Sequence, residues 1–148
     1  MTMEFHYKYK KLGDFTYNIL TDLNDINRFL TYWLTKEWQA DCEEDSAQAW
    51  TFEWLALLPQ MSFSLEVLKL TSINPRADLM NYRTETYSFA KELQARAEER
   101  QESMLRGVSI EPIVVNQSGL ELMDGYTRYT VLEKYQQTEV YAYVGKKA

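Results

Sequence analysis

The residues best suited to chemistry lie near the end of the chain, in the run Asp124-Gly-Tyr-Thr-Arg128. They follow the apolar residues 120–123 and precede an amphipathic segment, so we predict a strand, a tight turn at Gly125 and a helix. The first N–H groups of a helix lack partners within it and lie at the positive end of its dipole. Thr127 adds a hydroxyl, and Arg128 adds a planar guanidinium that binds two phosphate oxygens at once. The pattern predicts an anion site at Gly125, Tyr126, Thr127 and Arg128.

A plainer interpretation of the same turn stays open. Asp-Gly is a common turn between a strand and a helix, and short glycine-containing motifs often occur by chance. Asp124 is then only a helix cap, and Arg128 is only a solvated surface residue. The carboxylate of Asp124 suits either a cap or a catalytic group, so its type does not separate these roles.

The neighbouring elements predict an α+β fold. Residues 112–115 have the pattern of a short buried strand, 117–119 that of a turn, and 120–123 that of the antiparallel partner strand. A helix is predicted over 129–135, and residues 138–144 alternate as a further strand. The predicted anion site therefore lies at the point where a hairpin leads into a helix.

This order of elements resembles the ParB/sulfiredoxin superfamily. The resemblance rests on Pro-Ile-Val-Val, the hairpin, Asp-Gly-x-x-Arg-Tyr and Val-x-Ala-x-Val, over residues 111–144. It is weaker over 63–107, where 65–70, the loop Asn74-Pro-Arg76 and the next helix are similar to the opening elements of the family, and it does not include 1–60. In that superfamily the box after the hairpin binds nucleotide phosphates. The resemblance thus implies nucleotide binding at Gly125 to Arg128.

Two branches of the superfamily fit poorly. Sulfiredoxins carry a catalytic Cys and a His at the positions that Tyr126 and Thr127 occupy, and the only cysteine here is Cys42. Partition proteins carry Gly-Glu-Arg-Arg, bind CTP and continue into a helix-turn-helix domain, whereas this chain stops at Ala148. We therefore expect neither sulfinic acid reduction nor centromere binding, and we regard a DNA-associated nuclease as a weaker alternative.

A third branch, the free amino-acid kinases and small ParB-like proteins, carries Asp-Gly-His-x-Arg. Asp124, Gly125 and Arg128 match it, and Tyr126 replaces the His. The upstream catalytic Glu of that branch has no clear counterpart, and Asp78 replaces it only if the loop shifts. The resemblance implies ATP or CTP with Mg²⁺ as cofactor, and Asp124, with Asp78, as the candidate catalytic residues of a phosphotransferase or hydrolase. The acceptor would be a small molecule or a protein. The alternative is an interaction module that keeps the fold without chemistry.

The first 60 residues form the predicted N-terminal elaboration, and 61–148 form the ParB-like domain. A strand is predicted in which Phe5, Tyr7 and Tyr9 alternate inward. Two helices follow, over 23–37 with Thr21 or Asp22 as cap, and over 46–58 with Pro59 at its end. This helical hairpin contains all four tryptophans. It either packs against the ParB-like domain or lines an acceptor pocket or a homodimer interface. A long helix is predicted over 82–107, with Gly107 at its end.

Composition narrows the range of partners. The net charge is −6, from 16 basic and 22 acidic residues, which disfavours sequence-independent DNA binding. With no long apolar run and no export signal, we expect no membrane partner and a cytoplasmic location, which the single cysteine also fits. One histidine and one cysteine cannot supply an ordinary zinc site, so no metal held by protein side chains alone is expected.

Overall fold

Two β-sheets and three α-helices, with two further helical residues at 56–57, make up the part of the chain that this computed structural model describes. The described residues are 5–43, 56–75 and 88–147, with side chains except at 37–43, 88–94 and 96. The strands are β1 (Lys8–Leu12), β2 (Phe15–Ile19), β3 (Met61–Lys69), β4 (Ile113–Asn116), β5 (Glu121–Asp124) and β6 (Glu139–Lys147). The helices are α1 (Leu23–Glu43), α2 (Ser88–Leu105) and α3 (Tyr126–Lys134), and 3₁₀ turns lie at Leu58–Gln60, Leu70–Ser72 and Ser118–Leu120. The predicted α+β class is confirmed.

The larger sheet has the strand order β3-β6-β4-β5. Strands β4 and β5 form the predicted antiparallel hairpin, β6 runs parallel to β4, and β3 runs antiparallel to β6. Side chains that alternate along each strand point to opposite faces, so every strand of this sheet contributes to two cores. Ile113 and Val115 lie in one core, whereas Val114 lies in the other.

The N-terminal sheet differs from the prediction. The chain forms a two-stranded hairpin that turns at Gly13, and β2 rather than β1 faces the core. Of the residues predicted to point inward, Phe5 and Tyr7 are half-buried and pack against core residues, but Tyr9 is 68% exposed, so the prediction is wrong for Tyr9. Phe15 and Tyr17 are buried instead, because β2 continues towards the larger sheet through a bridge between Tyr17 and Ile110. Alternation in one strand does not indicate which strand of a hairpin lies against the core.

Helix α1 begins where the sequence predicted and covers one face of the larger sheet. The Asp25 N–H donates to Asp22 Oδ1 at 3.0 Å, which makes Asp22 the cap. Asn27, on the same helix, holds the outer edge of β3: it accepts from the Phe63 N–H at 2.7 Å and donates to the Phe63 carbonyl at 3.1 Å. An amide that bonds both groups of one residue takes the place of a neighbouring strand at that point.

Helix α2 ends close to the predicted position. Gly107, with φ +87°, follows its last turn, and the Val108 N–H donates to the Ser103 carbonyl at 3.1 Å. Met104 is buried and α2 packs against α3. The start predicted at residue 82 lies outside the described residues, as does most of the helix predicted over 46–58. At its end, Pro59 lies within the 3₁₀ turn Leu58–Gln60.

The two cores lie on opposite faces of the larger sheet. Strand β2, α2 and α3 contribute to one core, and α1 contributes to the other. Both cores include residues from each side of position 60, so the predicted boundary there, which stays a prediction, does not divide them. Within the described ranges, no helix combines the length and the apolar character needed to cross a membrane.

Candidate functional site

The strand, turn and helix predicted around Gly125 are all present. Strand β5 ends at Asp124, Gly125 adopts φ +96° and ψ +30°, and α3 begins at Tyr126. The Tyr129 N–H donates to the Gly125 carbonyl at 2.8 Å and forms the first bond of the helix. Gly125 therefore occupies the N-cap position, one residue later than the capping role considered for Asp124. A left-handed conformation strongly favours glycine, which explains the residue type.

Gly125 also allows an unusually close contact. A Cβ at this position would lie 2.8 Å from Arg128 Nη2 and 2.9 Å from Ile113 Cγ2. The guanidinium thus folds back over the turn instead of extending into solvent. A side chain at residue 125 would have to displace either the arginine or strand β4.

Arg128 is buried, with 8% of its surface exposed, and its bonding is incomplete. Its Nη2 donates to the Pro112 carbonyl at 3.4 Å and lies 3.6 Å from Asp124 Oδ2. Its Nε has no hydrogen-bond partner among the described residues. Both contacts are longer than the roughly 2.7–2.9 Å typical of charge-assisted hydrogen bonds. The plainer interpretation of Arg128 as a solvated surface residue is therefore wrong.

The other residues of the turn face different surroundings. The Tyr126 ring is buried and its hydroxyl donates to the Leu122 carbonyl at 3.1 Å. Thr127 is half-buried in the first turn of α3, beside Arg128. Asp124 is largely buried and contacts Arg128. Hence Gly125, Thr127, Arg128 and Asp124 lie together, while the Tyr126 side chain belongs to the core.

Glu111 is a part of this region that the sequence analysis missed. Burial raises the pKa of its carboxyl above the ordinary value of 4.5, and the positive charges of Arg128 and Arg100 partly oppose that rise. Glu111 directly precedes Pro112, whose carbonyl accepts from Arg128. The sequence does contain a signal for Glu111, because this residue directly precedes the predicted buried strand 112–115. The start of that strand lies at the same end of the sheet as the turn at Gly125.

The loop that contains the predicted catalytic residue Asp78 is described only at its beginning. Asn74 bridges to Glu121 beside β5, and the Leu122 N–H donates to the Asn74 carbonyl at 2.9 Å. Asn74 Nδ2 also donates to the Gly119 carbonyl at 2.7 Å. Asp78 itself lies outside the described residues, so its role stays a prediction. Across those residues, no three His, Cys, Asp or Glu side chains lie close enough together to hold a metal ion.

Comparison with known proteins returns solved structures alone. No protein-family model matches the chain, and no curated protein does. Among solved structures, it is similar to the C2221 form of a pNOB8-like ParB-N domain, with 17% identity and a TM-score of 0.41 over 60% of this chain and 31% of that one. It is also similar to a pNOB8-like ParB N-domain, with 21% identity and a TM-score of 0.41 over 57% of this chain and 28% of that one.

Both structures are ParB N-domains. This chain spans about a third of the length of each of them.

Proposed function

We propose that the chain binds the phosphate groups of a nucleoside triphosphate, ATP or CTP with Mg²⁺, at the turn between β5 and α3. The observation that carries this proposal is the buried guanidinium of Arg128, which has an unbonded Nε beside the first turn of α3. A buried polar group without a partner costs about 1–3 kcal/mol, so a ligand that supplies an acceptor gains that energy.

The arginine has the geometry for such a ligand. A guanidinium carries five N–H donors in a planar fork that matches two phosphate oxygens. The long contacts to the Pro112 carbonyl and to Asp124 hold Arg128 loosely, so a phosphate can replace them with shorter bonds. Gly125 has no side chain to obstruct the backbone, and the dipole of α3 adds a favourable potential.

The carboxylates near the turn imply that a cation must accompany the phosphates. Asp124 and Glu111 both lie in the field of Arg128, and their negative charges would repel a triphosphate. A Mg²⁺ ion usually binds through one or two carboxylates together with phosphate oxygens. Asp124 is the carboxylate at the turn that suits this role. We therefore expect nucleotide binding to depend on Mg²⁺.

Phosphoryl transfer is the chemistry that this arrangement would support. Such transfer relies on positioning and on electrostatic stabilisation of the phosphoryl oxygens. In this proposal Gly125, Thr127 and Arg128 hold the phosphates, and Asp124 orients an acceptor hydroxyl or holds the metal. A small molecule or a protein would be the acceptor of a phosphotransferase, and water that of a hydrolase. Asp78 would supply a second carboxylate.

A second candidate function is an interaction module without chemistry. The ion pair between Arg128 and Asp124, together with the Tyr126 hydroxyl on the Leu122 carbonyl, favours it. In that case the same residues only fasten the helix to the sheet. Nucleotides would then leave the stability of the fold unchanged.

The deciding experiment is a thermal-shift and calorimetric titration with ATP, CTP, GTP, ADP and inorganic phosphate, each with and without Mg²⁺. A ligand that binds only the folded state raises the melting temperature by an amount that grows with its free concentration relative to its Kd. The proposal predicts a shift of several degrees with one triphosphate and Mg²⁺, and an affinity about tenfold or more lower in Arg128→Ala.

Arg28→Ala is the matched control, because Arg28 is exposed and its ion pair with Asp25, at 3.7 Å, lies far along the chain on α1. Equal affinities of wild type, Arg128→Ala and Arg28→Ala would place the nucleotide elsewhere. No shift with any ligand would favour the interaction module.

A further inference from the structure

A surface cavity of about 330 Å³ opens at the end of α3 that is remote from Gly125. It lies between the last turn of that helix and the 3₁₀ turn that follows β3. Because α3 rises 1.5 Å per residue, Glu133 at the cavity lies roughly 10 Å along the helix from Tyr126, while Tyr129 lines the cavity nearer to the turn. Its size is at the lower end of the range for small-molecule sites, about 300–1,000 Å³. It is therefore a separate location with room for a small organic molecule.

The lining of the cavity is amphipathic. Leu70 and the ring of Tyr129 are buried and give it an apolar floor. Lys69, Glu133 and Gln136 bring polar groups to its rim, and the hydroxyls of Thr71 and Thr138 lie there too. An apolar floor with a few polar groups at the rim is the usual composition of a ligand site.

Gln136 stands at a position that ordinarily favours glycine. It has φ +51°, and its N–H donates to the Glu133 carbonyl at 3.0 Å, while the Gln137 N–H donates to the Leu132 carbonyl at 3.1 Å. These two hydrogen bonds are typical of a helix C-terminus that ends in a left-handed residue, here Gln136. Glycine is usual at that position because it has no Cβ and avoids the steric penalty. The chain keeps a glutamine there instead, and this residue lines the cavity. A residue held in a strained conformation is a pointer to function.

The wall beside Gln136 is fixed in place. Gln137 is buried, and its Nε2 donates to Asp14 Oδ2 at 2.8 Å and to the Tyr135 carbonyl at 3.0 Å. Its Oε1 accepts from the Asp14 N–H at 3.0 Å. This amide thereby joins the β1–β2 turn to the loop after α3. The cavity is preformed, so a ligand loses little free energy in organising it.

The charges at the rim select the kind of ligand. Lys69 has no ion pair within the described part of the chain, although Glu139 lies opposite it in the strand register. Glu133 accepts a hydrogen bond from the Tyr129 hydroxyl at 3.1 Å. Among the lining residues, the Lys69 ammonium can contact one carboxylate of a ligand, while the negative charge of Glu133 disfavours a polyanion such as a triphosphate.

We propose that this cavity is a second binding site, which takes a small organic monocarboxylate with an apolar body. The carboxylate contacts the ammonium of Lys69 and the amide of Gln136, and the apolar body lies on Leu70 and Tyr129. The site does not depend on nucleotide binding at Gly125. A ligand of this size, bound through one charged contact and an apolar surface, has an expected Kd in the low millimolar range or below.

The test uses the full chain and two probe pairs, 3-phenylpropionate with its amide and 4-methylpentanoate with its amide. Binding is followed by the backbone amide resonances of Leu70, Gln136 and Thr138 in ¹H–¹⁵N correlation spectra. At least one acid should shift these resonances saturably, and its uncharged amide should bind about tenfold more weakly, since a bond to a charged group is lost. If neither acid shifts them, or if acid and amide bind equally, the proposal is overturned.

Two pairs of variants assign the contacts. Lys69→Met should weaken binding of the acid about fivefold or more, whereas Lys134→Met should not, because Lys134 bonds Gln101 at 2.8 Å and does not line the cavity. Gln136→Gly should raise the melting temperature by a few degrees and still weaken binding, because it removes both the strain and the amide. Leu120→Gly, with φ +49° in wild type, should leave binding unchanged, because Leu120 does not line the cavity. If all four variants bind the acid with equal affinity, the proposed site is wrong.

Discussion

The guanidinium of Arg128 lies against the backbone of Gly125, so close that a Cβ at residue 125 would be 2.8 Å from Nη2. The turn and the arginine three residues later are therefore a single structural unit. The glycine provides the left-handed turn, and its missing side chain provides the space into which the arginine folds.

Gly125→Ala is expected to destabilise the protein through both effects. The left-handed conformation costs a residue with a Cβ about 1–2 kcal/mol, and displacement of the guanidinium adds about 1–3 kcal/mol. Gly107→Ala is the matched control, since Gly107 has φ +87° and nothing within 4 Å of its Cβ position. The free energy of unfolding of both variants, measured with urea, gives the steric contribution as the difference between them. Equal losses of stability would mean that Arg128 moves aside freely.

Glu111→Gln is expected to stabilise the protein at neutral pH. Because burial raises the pKa of Glu111 above 4.5, the folded state holds this proton more strongly than the unfolded state does. Its contribution to stability is therefore complete below 4.5 and declines as the pH rises through the raised value. Glutamine does not ionise, so the Glu111→Gln variant lacks this decline in stability. The free energy of unfolding, measured by urea titration from acidic to neutral pH, should fall less steeply in the variant.

The exposed Glu102→Gln is the control for Glu111 and should retain the wild-type pH profile. A wild-type stability that rises between acidic and neutral pH, with the same rise in Glu111→Gln, would contradict this account of Glu111.

Asn27→Ala should weaken the attachment of α1 to β3. The variant removes both hydrogen bonds to Phe63 and exposes its backbone groups at the sheet edge, a loss of about 1–3 kcal/mol. Asn24→Ala, at an exposed position of the same helix, controls for helix propensity. Chemical denaturation gives the difference between the two variants, and a difference near zero would show that solvent replaces the Asn27 amide without penalty.

Tyr126→Phe should lower stability without changing nucleotide affinity. The hydroxyl of Tyr126 bonds the Leu122 carbonyl inside the core, and its removal leaves that acceptor short of a donor, at about 1 kcal/mol. Tyr9→Phe, at an exposed position of β1, should leave stability unchanged. The titrations proposed for Arg128→Ala apply to these variants as well. A marked loss of nucleotide affinity in Tyr126→Phe alone would show that the ring leaves the core when ligand binds.

Local patterns were sufficient to predict the elements around the turn. The apolar runs at β4 and β5, the glycine between strand and helix, and the stop of α2 at Gly107 each depend on residues within one turn or one strand. Hydrophobic periodicity and turn chemistry act over that distance. The α+β class and the strand-turn-helix geometry of the candidate site followed from them.

Those local patterns could not predict contacts between residues that are distant in the sequence. The sequence showed an arginine in a first helical turn, but its inward direction depends on Ile113 and Pro112 in another element. Likewise, the choice between Tyr9 and Phe15 as a core residue depends on which strand of the hairpin meets Ile110. Gln137 and Asp14 meet across most of the chain. Such pairings are set by tertiary packing, which periodicity does not encode.

The place of β6 in the sheet has a consequence for biosynthesis. Strands β3 and β4 do not pair with each other, because β6, which follows both in the chain, lies between them in the sheet. Met61 at the start of β3 pairs with Lys147 at the end of β6. While the polypeptide leaves the ribosome, the edges of β3 and β4 therefore remain open until β6 has emerged. Sheets that close through such long-range pairing fold slowly and expose strand edges meanwhile. The nascent chain, rather than the finished protein, is where aggregation and chaperone dependence should be greatest.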